Sequence, residues 1–447
     1  MKKLLHIGFD DTDSLKGSCT THLATLIIHD IFDQVSFLDF PNLIRLNPNI
    51  PYKTRGNGAV ALRVEGNQKD LEYCKEIVLD KVKNLSEIED ENTNPGVVFV
   101  EGNVPKEIAK HSVRAMWDVI TIAEAEKLNS LPNVDIYKYK LGRGIIGALG
   151  AIGNQLNGDF TYEHLSYRES ERFGTKRLIN RESIYTADKA TPLTFSNIDY
   201  EYNSILILPR GADPVFTGIR GETVEEVRKA FSLLEPLEKI PMQMVFRTNQ
   251  HTNQHFVKKF SINELKPYLS TFIKGVVVNK PKYIEGSHLI FSINDNSGVI
   301  DCAAYEPTKR FRTQLSNLLP GDLVTIFGGI RPAEEKHPMT INIERIEINE
   351  LVKDFKNENP FCNKCNKRLK SAGKNKGFKC PACSTRYREL LPLKREIPRE
   401  ISLGEYLPPI IAHRHLTRPI ERTNRDNTSK QKSQDEINTI LSELVRN

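Results

Sequence analysis

Residues 8–24 read GFDDTDSLKGSCTTHLA. Three carboxylates, Asp10, Asp11 and Asp13, fall within four positions, and Gly17, Thr20 and Thr21 follow within the next eight. The preceding KKLLHIGF (2–9) reads as a strand. THLATLIIHDIFD (21–33) reads as a helix with Leu23, Leu26, Ile27 and Ile31 on one face. A loop between a strand and a helix is where α/β layers bind ligands. Thr20 or Thr21 is placed to cap the helix. A helix N-terminus and a glycine favour a phosphate, yet three aspartates repel one unless a cation lies between. The economical reading is Mg²⁺ held by Asp10, Asp11 and Asp13, nucleotide phosphates held by the metal and approached by Gly17, and Thr20 within reach of them. The bland alternative is an acidic turn with a capping threonine. Gly-x4-Gly-Lys-Ser/Thr does not occur at this loop, so kinase-like chemistry here needs another scaffold.

Outward from this loop, VSFLDF, AVALRV and GVVFVEG read as strands and DLEYCKEIVLDKVKNL as a helix, which gives a first α/β segment to about residue 130. Residues 131–260 mix strands and helices and predict a compact α/β sandwich. Residues 265–350 change character. About five alternating strands between turn signals such as Asp295-Asn296 and Gly298 predict a small OB barrel. A cysteine cluster occupies 355–390. Residues 391–447 form a basic C-terminal segment whose stretch DNTSKQKSQ (426–434) is expected to be mobile, with a short helix in EINTILSELV (436–445).

Of 447 residues, 39% are apolar and 27% charged, as in a soluble globular protein of several domains. No apolar run approaches the ~18 residues that span a bilayer, and the N-terminus meets aspartates too early for a signal peptide. A cytoplasmic protein with no membrane partner is expected. The net charge of +6 is unevenly spread. Residues 361–400 hold 12 Lys or Arg against 3 Glu, a local net of +9, which leaves −3 for the rest. A basic module on a near-neutral body points to a polyanionic partner.

That module is built on cysteines. CNKC (362–365) and CPAC (380–383) are two Cys-x2-Cys knuckles fourteen residues apart. Cys362, Cys365, Cys380 and Cys383 complete a tetrahedron for Zn²⁺ and leave no open position, so the site is structural. Two matching pairs without an adjacent βαβ pattern argue against redox chemistry. The remaining three of the seven cysteines are scattered.

GRGIIG (142–147) satisfies Gly-x-Gly-x-x-Gly, but the charged DIYKYKL before it is not the buried strand that a dinucleotide site requires. Close packing of small residues, or a backbone pocket for another ligand, fits better. YKTRGNGAV (52–60) and PRGADPVFTGIRGE (209–222) place Arg55, Arg210 and Arg220 beside glycine turns, where guanidinium groups can hold phosphates bidentately.

Taken in order, GFDDTDSLKGSCTTHLA, RLNPNIPYKTRGNGAV, GRGIIGALGAIG, PRGADPVFTGIRGE, the OB-like segment, the paired knuckles and AHRHLTRP (412–419) resemble the archaeal tRNA agmatidine synthetases, the tRNA(Ile) 2-agmatinylcytidine synthetase family. The likeness runs from residue 1 to about 420. It implies a multidomain α+β chain: a kinase-like α/β domain (1–130), a ferredoxin-like α/β domain (131–260), an OB-fold β-barrel (265–350) and a zinc ribbon (355–390). It implies an ATP-dependent ligase that joins agmatine to carbon 2 of the wobble cytidine in the isoleucine tRNA with a CAU anticodon, so that the tRNA decodes AUA. Thr20 matches the family's autophosphorylated threonine. Asp10, Asp11 and Asp13 match its ATP and Mg²⁺ motif, and the four clustered cysteines its zinc ligands. Arg210 and Gly211 are implied at the phosphates, and Gly142, Arg143 and Gly144 as pocket walls. Asp213 is a candidate partner for agmatine's guanidinium. Two alternatives remain open at this point. A non-catalytic RNA-binding protein would show no ATP turnover, and another ATP-dependent nucleic-acid enzyme with these modules would not need agmatine.

Overall fold

The computed structural model describes residues 2–335, 337–427 and 432–446. The predicted first strand is β1 (Lys3–Asp10), and the acidic loop runs from its end to α1 (Thr20–Ile31). Leu23, Ile27 and Ile31 of α1 are buried as the periodicity requires, joined by Ala24 and Ile28, while Leu26 of the expected face is only half-buried. A second helix, α2 (Gln68–Leu85), starts where the Asn67 side chain accepts the Asp70 backbone N–H, and it packs against α1.

β1 lies inside a ten-stranded sheet. From one edge the strands are Val134–Lys138, Gly96–Glu101, β1, Gly58–Gly66 and Asn42–Arg45, then Met242–Thr248, Thr161–Tyr167, Val215–Gly221 and Thr194–Phe195. Ser36–Phe37 adds to Gly58–Gly66 off this path. All pairs in the sheet are antiparallel except one. Asn42–Arg45 and Met242–Thr248 run parallel, with Arg247 opposite Asn42 and Thr248 opposite Leu43. This pair welds residues 3–138 to 161–248 edge to edge. The second segment therefore extends the first sheet instead of forming a separate sandwich, and one apolar core runs through both. The expected border near residue 130 coincides with no break in packing. Val134–Lys138 pairs with Gly96–Glu101, and helix Gly144–Gly153 lies against β1.

The barrel is made of Ser270–Val277, His288–Asn294, Val299–Ala304, Leu323–Arg331 and Thr340–Glu350. Val276 and Val277 pair with Asn294 and Ile293, and this pairing closes it. Asp295 Oδ1 accepts the N–H groups of Ser297 and Gly298 in the predicted turn. Beyond the barrel, Asp354–Glu358 pairs with Leu393–Ile397 as a two-stranded stalk. The stalk carries a small three-stranded ribbon with the cysteines.

The C-terminal segment returns to the main body. Arg422 is buried and pairs with Asp159 at 2.8 Å and Glu222 at 2.6 Å, while Arg418 bonds Asp159 and Asp426. These arginines are therefore spent inside the fold and are not offered to a polyanion. Residues 428–431 of the stretch expected to be mobile lie outside the described residues. The helix after it, Gln434–Arg446, is docked, with Ile437, Leu441 and Leu444 in the main core. Asn438 gives and accepts hydrogen bonds with the Phe37 backbone, satisfying a strand edge. Among the described residues no helix is long and apolar enough to cross a membrane.

Candidate active site

The acidic loop opens into a cavity of about 760 Å³. The cavity also takes its walls from the loop 46–58, helix Gly144–Gly153, strands Thr161–Tyr167 and Val215–Gly221, and the C-terminal segment. It lies where the two halves of the welded sheet meet, so neither half makes it alone.

β1 ends at Asp10, and the chain turns through Asp11 in the left-handed region at φ 60°. Asparagine and aspartate tolerate that region better than other non-glycine residues. The three carboxylates then part company. Arg143 Nε donates to Asp11 Oδ2 at 3.0 Å. Arg55 Nη2 donates to Asp13 Oδ2 and, at 2.8 Å, to the Ser18 carbonyl. Among the described residues no ion pair reaches Asp10. Burial first, then the Asp11 charge, push the Asp10 carboxyl well above the usual range. Burial pushes Asp11 up to about 6 despite Arg143, and it raises Asp13 despite Arg55. Three buried carboxylates answered by two arginines keep a net negative charge, which suits a hard divalent cation bound by oxygen, and Mg²⁺ is such a cation.

Cys19, not a threonine, is the N-cap of α1. Its backbone is extended, and its side chain makes no capping bond, because Sγ lies 3.1 Å from Thr21 Oγ1. Thr20 is therefore the first helical residue. Its hydroxyl is 3.0 Å from that of Thr12, and it lines the cavity with Asp10, Asp11 and Asp13.

The GRGIIG stretch serves close packing. Helix Gly144–Gly153 is laid so tightly on the end of β1 that a Cβ on Gly144 would lie 2.3 Å from the Asp10 carbonyl oxygen. A Cβ on Gly147 would lie 1.9 Å from Asp10 Oδ2. Arg143 and Gly144 line the cavity; Gly142 does not, and at φ 66° it makes the turn before the helix.

Three more expected residues stand elsewhere, as Gly142 does. Gly17 is outside the cavity wall, in the loop's outer turn, where its carbonyl accepts the Ser14 N–H. Arg210 and Gly211 are exposed and do not line the cavity. Among the described residues Arg210 reaches only the Ser204 hydroxyl, at 3.5 Å. Asp213 does line the cavity, but arginines already face it: Arg177 at 3.2 Å on Oδ1 and Arg55 at 3.8 Å on Oδ2.

Other wall residues have no signature in the sequence. Buried Glu163 accepts from Arg220 Nε at 3.0 Å and from Gln250, with Arg45 at 3.8 Å. His415, from AHRHLTRP, enters the same wall, and the Arg45 charge and burial hold it well below the usual histidine range. Tyr52 stacks 5.2 Å from the Arg143 guanidinium. Apolar side chains including Ile50, Val119, Ile120, Leu206 and Ile207 complete the surface. Arginines paired to wall carboxylates, an acidic corner and an apolar wall together suit a nucleotide beside an organic cation or a base.

In the ribbon, the four cysteine sulfurs lie within 4.8 Å of one another. Cys362 and Cys383 are 3.6 Å apart, and Cys365 and Cys380 are 3.3 Å apart. Sulfurs around tetrahedral zinc stand about 3.8 Å apart for bonds of about 2.3 Å. The residues therefore fit Zn²⁺.

Family models match in four places: the TiaS TCKD domain over residues 6–73, the TiaS FLD domain over 142–255, an OB-fold nucleic acid binding domain over 272–349, and the TiaS C-terminal zinc ribbon domain over 359–401. The chain is 43% identical over 417 residues to TiaS of Thermococcus sibiricus, a 2-agmatinylcytidine synthetase of isoleucine tRNA, covering 93% of this chain and 95% of that one. A solved complex of TiaS with its isoleucine tRNA and ATP superposes with a TM-score of 0.85 at 37% identity, covering 96% of this chain and 100% of that one. A TiaS complex with the same tRNA, AMPCPP and agmatine does so at 0.81 and 34%, with the same coverage.

Proposed function

This chain belongs to the family of isoleucine tRNA 2-agmatinylcytidine synthetases, and from that premise we propose how its own residues carry the reaction. The chain is an ATP-dependent ligase that couples agmatine to carbon 2 of the wobble cytidine of the CAU isoleucine tRNA, and in the proposed reaction ATP ends as AMP and phosphates. One observation supports the cavity as its active site: the Asp10–Asp13 carboxylates, the Thr20 hydroxyl and the arginines of both sheet halves converge on one space.

The chemistry sets what the site must do. The carbon-2 oxygen of cytosine leaves poorly. Its phosphorylation forms an O–P bond as a phosphoanhydride bond of ATP breaks, and makes a phosphate leaving group; the agmatine amine then forms the C–N bond and gives up a proton as the C–O bond breaks and phosphate departs. Mg²⁺ held by Asp10, Asp11 and Asp13 would neutralise phosphate charge there. Thr20, on the first turn of α1, offers a hydroxyl to phosphate beside backbone N–H groups that no helical carbonyl satisfies. Arg143 and Arg55 stand beside the carboxylates, ready to bind the transferring group. The apolar wall excludes water, which would otherwise take the place of the amine.

The cytidine must leave its stack to enter, at a cost of about a few kcal/mol. We assign recovery of that cost to the OB barrel (265–350) and the zinc ribbon (355–390) through phosphate contacts and base stacking. The catalytic work belongs to 1–130 with the ferredoxin-like 131–260, and the place of action is the cytoplasm, where the tRNA is. Nucleoside mass analysis tests the function. Incubation with ATP, Mg²⁺ and agmatine should add an agmatine-bearing cytidine to the CAU isoleucine tRNA transcript and none to elongator methionine tRNA, which shares the anticodon. ATP consumption with no adduct in either would point to a different nucleic-acid enzyme.

A further inference from the structure

The Arg55 guanidinium is caught between two acids from different parts of the fold. One arm holds Asp13 of the acidic loop and the Ser18 carbonyl. The other faces Asp213 Oδ2 at 3.8 Å, beyond hydrogen-bond reach. Asp213 itself is fixed: Oδ1 accepts from Arg177 at 3.2 Å and from the Val215 N–H at 3.1 Å, and the residue is buried. Asp13 thus has a cation where a metal would have to bind, and a second carboxylate waits one short movement away. Arg143 on Asp11 is different, because it is also tied to the Asn92 side chain and carbonyl, and among the described residues it makes no second ion pair, the Asp10 charge acting on it only from farther off.

We infer that Arg55 is a resident counter-ion of Asp13 that the incoming divalent cation displaces, and that Asp213 is the seat that receives it. This rests on the reading of the acidic loop as the metal site. With no nucleotide bound, Arg55 neutralises Asp13 and lowers its affinity for a cation. When the cation arrives with a nucleotide, Arg55 swings to Asp213, where its free N–H groups face the cavity and its phosphates. The exchange makes tight metal binding conditional on nucleotide, because the displaced arginine gains phosphate contacts only then. Asp213 is in this account a positioning residue, touching no substrate.

The test is Mn²⁺ binding to the full-length, zinc-loaded protein, read by the loss of the free-ion paramagnetic resonance signal. Thiolate zinc is not displaced by Mn²⁺. Without nucleotide, Arg55→Gln should bind Mn²⁺ about tenfold more tightly than the unaltered protein, a change of ~1.4 kcal/mol. Asp213→Asn should weaken Mn²⁺ binding a few-fold when Arg55 is present and leave it unchanged in the Arg55→Gln background. An Asp213 effect that persists without Arg55 would be a general field effect and would overturn the exchange. So would an Arg55→Gln protein with unchanged or weaker Mn²⁺ affinity, provided Mn²⁺ binds with ATP. If Mn²⁺ fails to bind even with ATP, the metal reading of the loop falls, and the exchange with it.

Discussion

The Thr12 and Thr20 hydroxyls lie 3.0 Å apart, both side chains buried, with Thr20 in the cavity wall and Thr12 behind it. The loop thus fixes the rotamer of the hydroxyl assigned to phosphate. Thr12→Val keeps the shape and removes the bond, worth about 1 kcal/mol. The modification rate at saturating ATP and agmatine should fall about fivefold with tRNA affinity unchanged. Single-turnover kinetics read this, and an unaltered rate would mean that the bond does not orient Thr20 for chemistry.

Gly147 is the point of closest approach to Asp10. In an ordinary helix interior, Gly→Ala stabilises by up to about 1 kcal/mol. Here the added methyl would fall 1.9 Å from Asp10 Oδ2 and must push the carboxylate aside. Gly147→Ala should therefore weaken ATP binding in Mg²⁺ by about tenfold while tRNA binding holds. Calorimetric ATP titration decides it.

Burial also makes stability depend on pH. The Asp11 carboxyl is pushed up to about 6 in the fold from an ordinary 3.8. The folded protein thus holds this proton more tightly than the unfolded chain does. The resulting stability is full below pH 3.8 and is lost as pH rises through about 6. Asp11→Asn cannot titrate and keeps its stability. Without nucleotide, the variant's advantage should grow by about 1–3 kcal/mol between pH 5 and 7.5 in urea unfolding. An advantage of constant size would contradict the burial argument.

Zinc removal should act at a distance from the cavity. The small ribbon core contains only Cys362, Leu369, Phe378 and Cys380, with Tyr387 and Leu390 against it, so the metal supplies most of its fold. Cys380→Ser should release zinc and weaken tRNA binding, with ATP affinity retained. Metal analysis and a tRNA filter-binding titration separate the two effects. Intact tRNA affinity in the zinc-free protein would take the ribbon out of recognition.

The sequence made local chemistry legible and hid what assembly creates. The acidic loop and the knuckles announce themselves because their ligands are neighbours in the chain. Glu163, Arg45 and His415 do not, because they meet only after strands far apart in sequence pair and the C-terminal segment crosses back. Arg210 and Gly211 carried the right residue types for phosphate, but the turn points them to solvent. Cys19 takes the cap position expected of a threonine, which spacing alone does not distinguish. The welded sheet rests on a single parallel pair between Asn42–Arg45 and Met242–Thr248, and neither strand's pattern names its partner.

The most direct measurement compares the unaltered protein with Thr20→Ala on the CAU isoleucine tRNA, with ATP, Mg²⁺ and agmatine. The tRNA is digested and its nucleosides weighed, and binding is measured on the same samples. Agmatine-bearing cytidine is expected from the unaltered protein and none from Thr20→Ala, with equal tRNA affinity for both. Full product from Thr20→Ala would contradict this and move the chemistry away from the acidic loop.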